Sequence, residues 1–381
     1  GVERCLFGNG KELHFKKLMD FDTIGGKSNK NGARFDLDAM YVNWLGLSLK
    51  CYLPKSENSL SYVWESLKGK ISYCNIKRLM FSSGWRYYAE IVVSGAAPTR
   101  VSIGTSTMGI DPGVSTIAGV SEDACVLEEL APNAIQYEKK IQKISQSMDR
   151  SRRISNPNKY NEDGTINRSN RDPWKYSKNY VKMCRLLKSL YRKKHAYIVD
   201  SHRELCNKLI TIARYFPVEK MHFQALQKKA KETRRQEKKT EVKQKDGTVK
   251  VIQKYKRKKR FGRSINRRAP ARFLLELKRK AEAVGGVYAE VDTKEFKASQ
   301  YNHVTDTYEK IPLSQREKEI GKRKVQRDLY SAFLIRNADL DFKHPDREKC
   351  EYEFEYFADM QEQLILKMKE SGLSMRQCFG F

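Results

Sequence analysis

Between residues 85 and 93 the apolar side chains of Trp85, Tyr87, Ala89, Ile91 and Val93 recur at every second position, the period of a half-buried strand. Turn pairs surround it at Gly25-Gly26, Asn31-Gly32 and Ser83-Gly84, and residues 60–67 carry a short helical pattern. A small β-barrel or sandwich-like module is therefore predicted over residues 1–105. After Thr107 a short apolar run leads to Asp111, Pro112-Gly113 turn the chain, and residues 114–120 return as a strand, with a third at 124–127. Helical periodicity follows over about 133–153 and again from Pro173, with Tyr180, Met183, Leu187 and Leu190 on one face. The second helix is expected to run on to Tyr215-Phe216, to end at Pro217, and to hand over to a brief strand carrying Glu219. A basic hairpin is predicted over 228–263, turning at Asp246-Gly247. A helix over 265–284 stops at Gly285-Gly286, a strand covers 287–291, and a last helix over 322–337 holds Asp328 in its first turns. Residues 348–370 read as one more amphipathic helix.

Residues 107–338 thus run as three strands, a helical segment, a strand, a helix, a strand and a helix. That order is the one found in the ribonuclease-H-like fold, to which RuvC belongs. The expected fold class is α/β plus all-β: a mixed-sheet nuclease domain over 106–338, preceded by a β-rich, barrel-like domain over 1–105 and followed by a helical tail over 339–381. Within the nuclease domain lie a helical hairpin (131–215), the basic insertion (228–263) and a further insertion (293–322).

Charge narrows the function. Of 381 residues, 75 are Lys or Arg against 46 Asp or Glu, a formal net charge of +29 that calls for an anionic partner. The runs Lys228–Arg235 and Lys254–Arg260, with Tyr255 and Phe261 beside them, suit phosphates and stacked bases. Candidate nucleic-acid contacts are Lys228, Lys229, Arg234, Arg235, Lys256, Arg257, Lys258, Lys259, Arg260 and Arg327. The eight cysteines include no CxxC pair, and no apolar stretch approaches a membrane span, so a soluble, cytoplasmic protein without a membrane partner is expected.

A mixed sheet of this order sets its first strand beside its fourth, which would bring Asp111 to Glu219, with Asp328 arriving from the final helix. Three converging carboxylates repel one another unless cations intervene. Mg²⁺ is the expected cofactor: it prefers hard oxygen ligands, and two such ions would serve in-line hydrolysis of a phosphodiester. Taken singly, each acid is equally well a turn residue, a solvent-facing strand residue or a helix-dipole partner.

The segments Gly109-Ile-Asp-Pro-Gly113, Val218-Glu-Lys-Met-His-Phe-Gln-Ala-Leu226 and Gln326-Arg-Asp-Leu-Tyr-Ser-Ala-Phe333 resemble the three RuvC motifs of the TnpB family. These are transposon-encoded, RNA-guided nucleases related to the small type V CRISPR effectors. The resemblance implies an RNA-guided, Mg²⁺-dependent endodeoxyribonuclease with Asp111, Glu219 and Asp328 as catalytic, metal-binding acids. It implies guide RNA and target DNA as partners, with a homodimer on one RNA as a further option. It also likens the first segment to the later part of a wedge domain that grips guide RNA. Two departures stand out. No cysteine lies between Cys206 and Cys350, where relatives carry a zinc ribbon, so zinc is not expected and residues 297–316 are read as a metal-free loop touching the target strand. The chain also opens at Gly1, without the helical segment that interrupts the wedge strands of relatives, so a missing beginning is expected. A DNA-binding repressor that does not cut and a guide-free, structure-selective nuclease are the alternatives.

Overall fold

The computed structural model describes residues 21–162, 164–227, 235–243, 249–255, 261–312 and 315–372. In chain order the elements begin with β1 (Thr23–Gly25), β2 (Arg34–Asp36), β3 (Tyr41–Trp44), β4 (Leu47–Lys50), α1 (Glu57–Leu67), β5 (Lys70–Phe81) and β6 (Gly84–Ser94). Next come β7 (Ser106–Thr107), β8 (Gly109–Pro112), β9 (Thr116–Val120), β10 (Cys125–Glu129), α2 (Ala134–Ser155) and α3 (Lys178–Ile212). They are followed by β11 (Ala213–Glu219), α4 (Phe223–Leu226), β12 (Arg235–Lys243), β13 (Val249–Tyr255), α5 (Gly262–Arg268), α6 (Pro270–Ala283) and β14 (Val287–Val291). The remainder is α7 (Thr293–Phe296), β15 (Tyr301–Asn302), β16 (Thr307–Tyr308), β17 (Glu317–Ile320), β18 (Arg323–Gln326), α8 (Arg327–Arg336) and α9 (Arg347–Glu370). Two compact units divide the chain: residues 1–98 with 139–193, and residues 99–138 with 194–381.

In the first unit two antiparallel sheets, β1-β5-β6 and β2-β3-β4, enclose a core of Ala33, Phe35, Val42, Leu67 and Cys74. Among the described residues these are two separate open sheets, with β6 and β4 at their edges, rather than the closed barrel expected over residues 1–105. The alternation along β6 is only half realised. Ile91 and Val93 pack on the core, whereas Tyr87 is exposed, because the outer half of the long β5–β6 ribbon extends past its short neighbour β1. Helix α3 starts at Lys178 rather than at Pro173. Asn156 holds Lys175 extended through both backbone groups, at 2.7 and 2.8 Å, and the Ser177 hydroxyl accepts the Tyr180 N–H as a helix cap.

The second unit is built on a mixed sheet of order β10-β9-β8-β11-β14, with β7 also pairing β11. Strands β8, β9 and β10 are antiparallel neighbours, while β8–β11 and β11–β14 are parallel. The first strand of the unit's antiparallel trio thus lies beside β11, as the element order requires. Alternation across the pleat sends Ala118 and Val120 toward α8 and α9, and Ile117 toward α3 and α6, so both faces of β9 are buried. Burial on both faces, not parallel pairing, accounts for the near-continuous apolar run of this strand, whose two neighbours are antiparallel to it.

Three boundaries differ from the sequence expectation. Helix α3 ends at Ile212, and Pro217 sits inside β11 opposite Ala289, because the buried run Phe216–Val218 extends the strand through it. The helix expected over 265–284 is broken: Pro270 has no N–H to continue the turn, and Ala269 bends through a left-handed φ of 49° between α5 and α6. Residues 322–326 belong not to a helix but to the β17–β18 hairpin, which turns at Gly321 with φ 59° and buries Ile320 and Val325. Helix α8 therefore starts at Arg327, capped by the Gln326 side chain, which accepts from Leu329 N at 2.7 Å. The C-terminal α9 begins where Asp346 accepts the Lys349 N–H.

Candidate active site

Asp111 is the third residue of β8 and Glu219 the last of β11; Val218 pairs with Ile110, so the two acids are neighbours across adjacent parallel strands. Ile110 and Val218 are fully buried below them, which by strand alternation directs both carboxylates to the opposite face. On that face lies α8, whose second residue is Asp328. The helix approaches very closely at Gly109, where a Cβ would come within 2.2 Å of Ala332 O and 2.3 Å of Arg336 N. Only glycine allows that contact.

The three acids sense one another. Burial drives the Asp111 carboxyl well above its ordinary range, the charges of Glu219 and Asp328 push it further, and the Arg327 guanidinium opposes them. Glu219 is also raised, first by burial and then by Asp328, against the lowering effect of a hydrogen bond with Asp111. Both shifts favour the protonated carboxyl over the carboxylate at this pair. Asp328 is engaged differently: its Oδ2 accepts from Arg316 Nη1 at 3.2 Å and its Oδ1 from Arg327 Nη2 at 3.3 Å. Among the described residues no group of three or more His, Cys, Asp or Glu is gathered in metal-binding geometry. Asp111 and Glu219 nevertheless form a pair of hard-oxygen donors, buried side by side, that a cation would suit, and the third acid is paired with arginines.

Arg316 had no signal in the sequence beyond its place in the 293–322 insertion. Arg327, expected as a nucleic-acid contact, is buried with its guanidinium turned to Asp328. The insertion itself is held to α8 by polar bonds. His303 is 1% exposed; its Nδ1 lies 2.8 Å from the Tyr330 hydroxyl, and its backbone N–H donates to the same oxygen at 3.2 Å. Burial lowers the His303 pKa to about 4, so it is a neutral, packed residue. Lys318 donates to Tyr301 O at 2.9 Å, and residues of β15, β17 and β18 border a polar cavity of about 800 Å³ lined in part by Gln300, Asn302, Gln315 and Arg316. A larger cavity of about 1260 Å³ lies within the first unit and contains none of the three acids.

Of the other candidate contacts, Arg235 opens β12 opposite Tyr255 in the antiparallel β12–β13 ladder. Lys228, Lys229, Arg234 and Lys256, Arg257, Lys258, Lys259, Arg260 lie outside the described residues, as does the Asp246-Gly247 turn. Among the described residues no helix is long and apolar enough to cross a membrane.

No protein-family model matches the chain, and no curated protein matches it. Among solved structures it is similar to the protein in a cryo-EM structure of a Cas12f1–sgRNA–target DNA complex, at 12% identity and a TM-score of 0.44 over 74% of this chain and 48% of that one. It is also similar to one in a CRISPR-Cas12f ternary complex, at 14% identity and a TM-score of 0.32 over 77% and 49%. The chain spans about half the length of these structures, and likeness at this level leaves the fold and site to rest on their own geometry.

Proposed function

We propose that this chain is an RNA-guided DNA endonuclease with a RuvC-like centre formed by Asp111, Glu219 and Asp328. The observation that carries the reading is the placement of Asp111 and Glu219 at the ends of neighbouring parallel strands, with Asp328 presented by the helix packed across them. Strand order β10-β9-β8-β11-β14 supports the ribonuclease-H-like assignment. The three motif resemblances and the charge of +29 support guidance by RNA.

The same three acids would hold Mg²⁺, which when bound supplies charge stabilisation for the attacking water and the leaving 3′ oxygen. The chain's own groups prepare that site. Parallel strands fix the spacing of Asp111 and Glu219, and a proton shared between them in the metal-free state would keep the buried pair from carrying two unbalanced charges. Arg316 and Arg327 neutralise Asp328. Arg316 is the more exposed of the two guanidiniums and lies just before β17, which leaves it free to exchange a carboxylate for a substrate phosphate.

The test uses the full chain with its co-purified RNA and a DNA duplex matching that RNA. Cutting is expected to require Mg²⁺ and to be lost in Asp111→Ala, Glu219→Ala and Asp328→Ala while DNA binding persists. Cleavage surviving any of the three substitutions refutes the site, and co-purified RNA of random sequence refutes guidance.

A further inference from the structure

Residues 139–193, the outer part of the α2–α3 hairpin, contain sixteen Lys and Arg against four Asp and Glu. Its consecutive bases come only in pairs (Lys139-Lys140, Arg152-Arg153, Arg192-Lys193), and the rest of its charge is spread along the helices and their connection. On α2, Lys140, Lys143 and Arg150 recur at i, i+3 and i+10; on α3, Lys178, Lys182 and Arg185 recur at i, i+4 and i+7. Such spacing collects each set into one stripe. All six are exposed, and none forms an ion pair among the described residues. Arg168, Arg171 and Lys175 continue the exposed charge through the connecting segment.

That segment is built rather than loose. Lys159 is 5% exposed and donates to Asn170 O at 3.0 Å, Asn170 returns a bond to Asn158 O at 3.2 Å, and Arg153 donates to Gly164 O at 2.9 Å. Trp174 is flanked by Arg152 and Lys159, each 5.3 Å from its ring centroid. Tyr176, half exposed, stacks on Tyr180 at 4.6 Å, and Val181 and Leu186 are exposed between the cations. A merely solvated basic face would not interleave aromatic and apolar side chains with its charges, whereas a nucleic-acid surface needs cations for phosphates and flat or apolar faces for bases and sugars.

We infer that this outer hairpin is a second RNA-binding surface, gripping the backbone of the resident RNA independently of its sequence. The inference rests on the RNA-guided reading. Unpaired charge of this density repels itself in the free protein, which favours a polyanion that stays bound over a DNA target that comes and goes. The cations stand on helices, so the contact is expected to position RNA as well as to attract it.

The experiment measures RNA binding by the full chain across a series of KCl concentrations. In the variant, Arg168, Arg171, Lys175, Lys178, Lys182 and Arg185 are all replaced by Gln. A control replaces Lys322, Lys343, Lys349, Lys367, Lys369 and Lys324, six lysines of the other unit, by Gln. The hairpin variant is expected to lose about tenfold or more in affinity near 0.15 M salt, and its salt slope to fall by about 0.7–0.9 per phosphate contact removed. The control is expected to keep the wild-type slope. An unchanged slope in the hairpin variant, or an equal loss in the control, overturns the inference while leaving the RNA-guided reading intact. A wild-type chain that binds no RNA defeats that reading itself.

Discussion

Replacing Asp111 by Asn should stabilise the metal-free protein while abolishing its cleavage. Asp111 and Glu219 are both buried, and burial raises both carboxyls, with the charges of Glu219 and Asp328 adding to the rise at Asp111 and that of Asp328 to the rise at Glu219. A carboxyl raised in the folded state binds more protons folded than unfolded, so its contribution to stability falls as pH rises from the ordinary Asp value of 3.8 toward the raised one. Two unit charges about 4 Å apart at an effective dielectric of about 20 repel by about 4 kcal/mol. Sharing a proton relieves part of this, which leaves about 1–3 kcal/mol for Asp111→Asn to recover near neutral pH. The Asn amide still donates to Glu219, so the hydrogen bond is kept. In EDTA at pH 7.5 the variant should melt several degrees higher, at about 2–4 °C per kcal/mol for a unit of this size. Near pH 4 the gain should vanish, because the wild-type pair is then protonated. Saturating Mg²⁺ should reverse the order, since a ligand at about 100 times its Kd adds about 2.7 kcal/mol to the wild type alone. A gain of equal size at pH 4 and pH 7.5, or none at either, would refute the shared-proton pair.

Three further outcomes follow from the geometry. Tyr330→Phe removes the hydroxyl that meets His303 Nδ1 and N–H, and should cost about 1–3 kcal/mol in a denaturant melt; a neutral result would mean that this buried bond contributes nothing. Ala269→Gly relieves the left-handed kink between α5 and α6 and should raise thermal stability by about 1 kcal/mol, whereas a drop would locate the cost in chain entropy instead. Arg316→Ala frees one side of Asp328; Mn²⁺ binding followed by electron paramagnetic resonance should tighten as cutting weakens, and unchanged binding would show that the ion pair does not compete with metal.

Much of the second unit is legible in the sequence because its signals are local and periodic. Buried strands read as short apolar runs, and the three acids fell at strand ends and in a first helical turn, where such runs stop. The break at Ala269-Pro270 was visible as a proline but was outweighed by the helical periodicity on both sides of it. Strand β18 was hidden because Arg323–Gln326 is too short for its alternation to stand apart from the helix that follows. The ion pairs of Asp328 were illegible, since nothing local brings Arg316 back to a residue beyond the hairpin. The dispersed charge of the outer helical hairpin stands out less in the sequence than contiguous basic runs do, although helical spacing concentrates charge on a surface as effectively as adjacency does in sequence.

The contact at Gly109 has a consequence for how this centre can change. Where strand β8 meets helix α8, main chain rests on main chain, with no side chain between them to swell, shrink or rotate. The separation of Asp111 from Asp328 is therefore insulated from substitutions in the surrounding core, much as a ruler keeps its divisions when its case is exchanged. Adaptation to another ion or another strand geometry is left to the parts of the centre that can move: the arginine on the insertion and the reach of the Glu219 side chain.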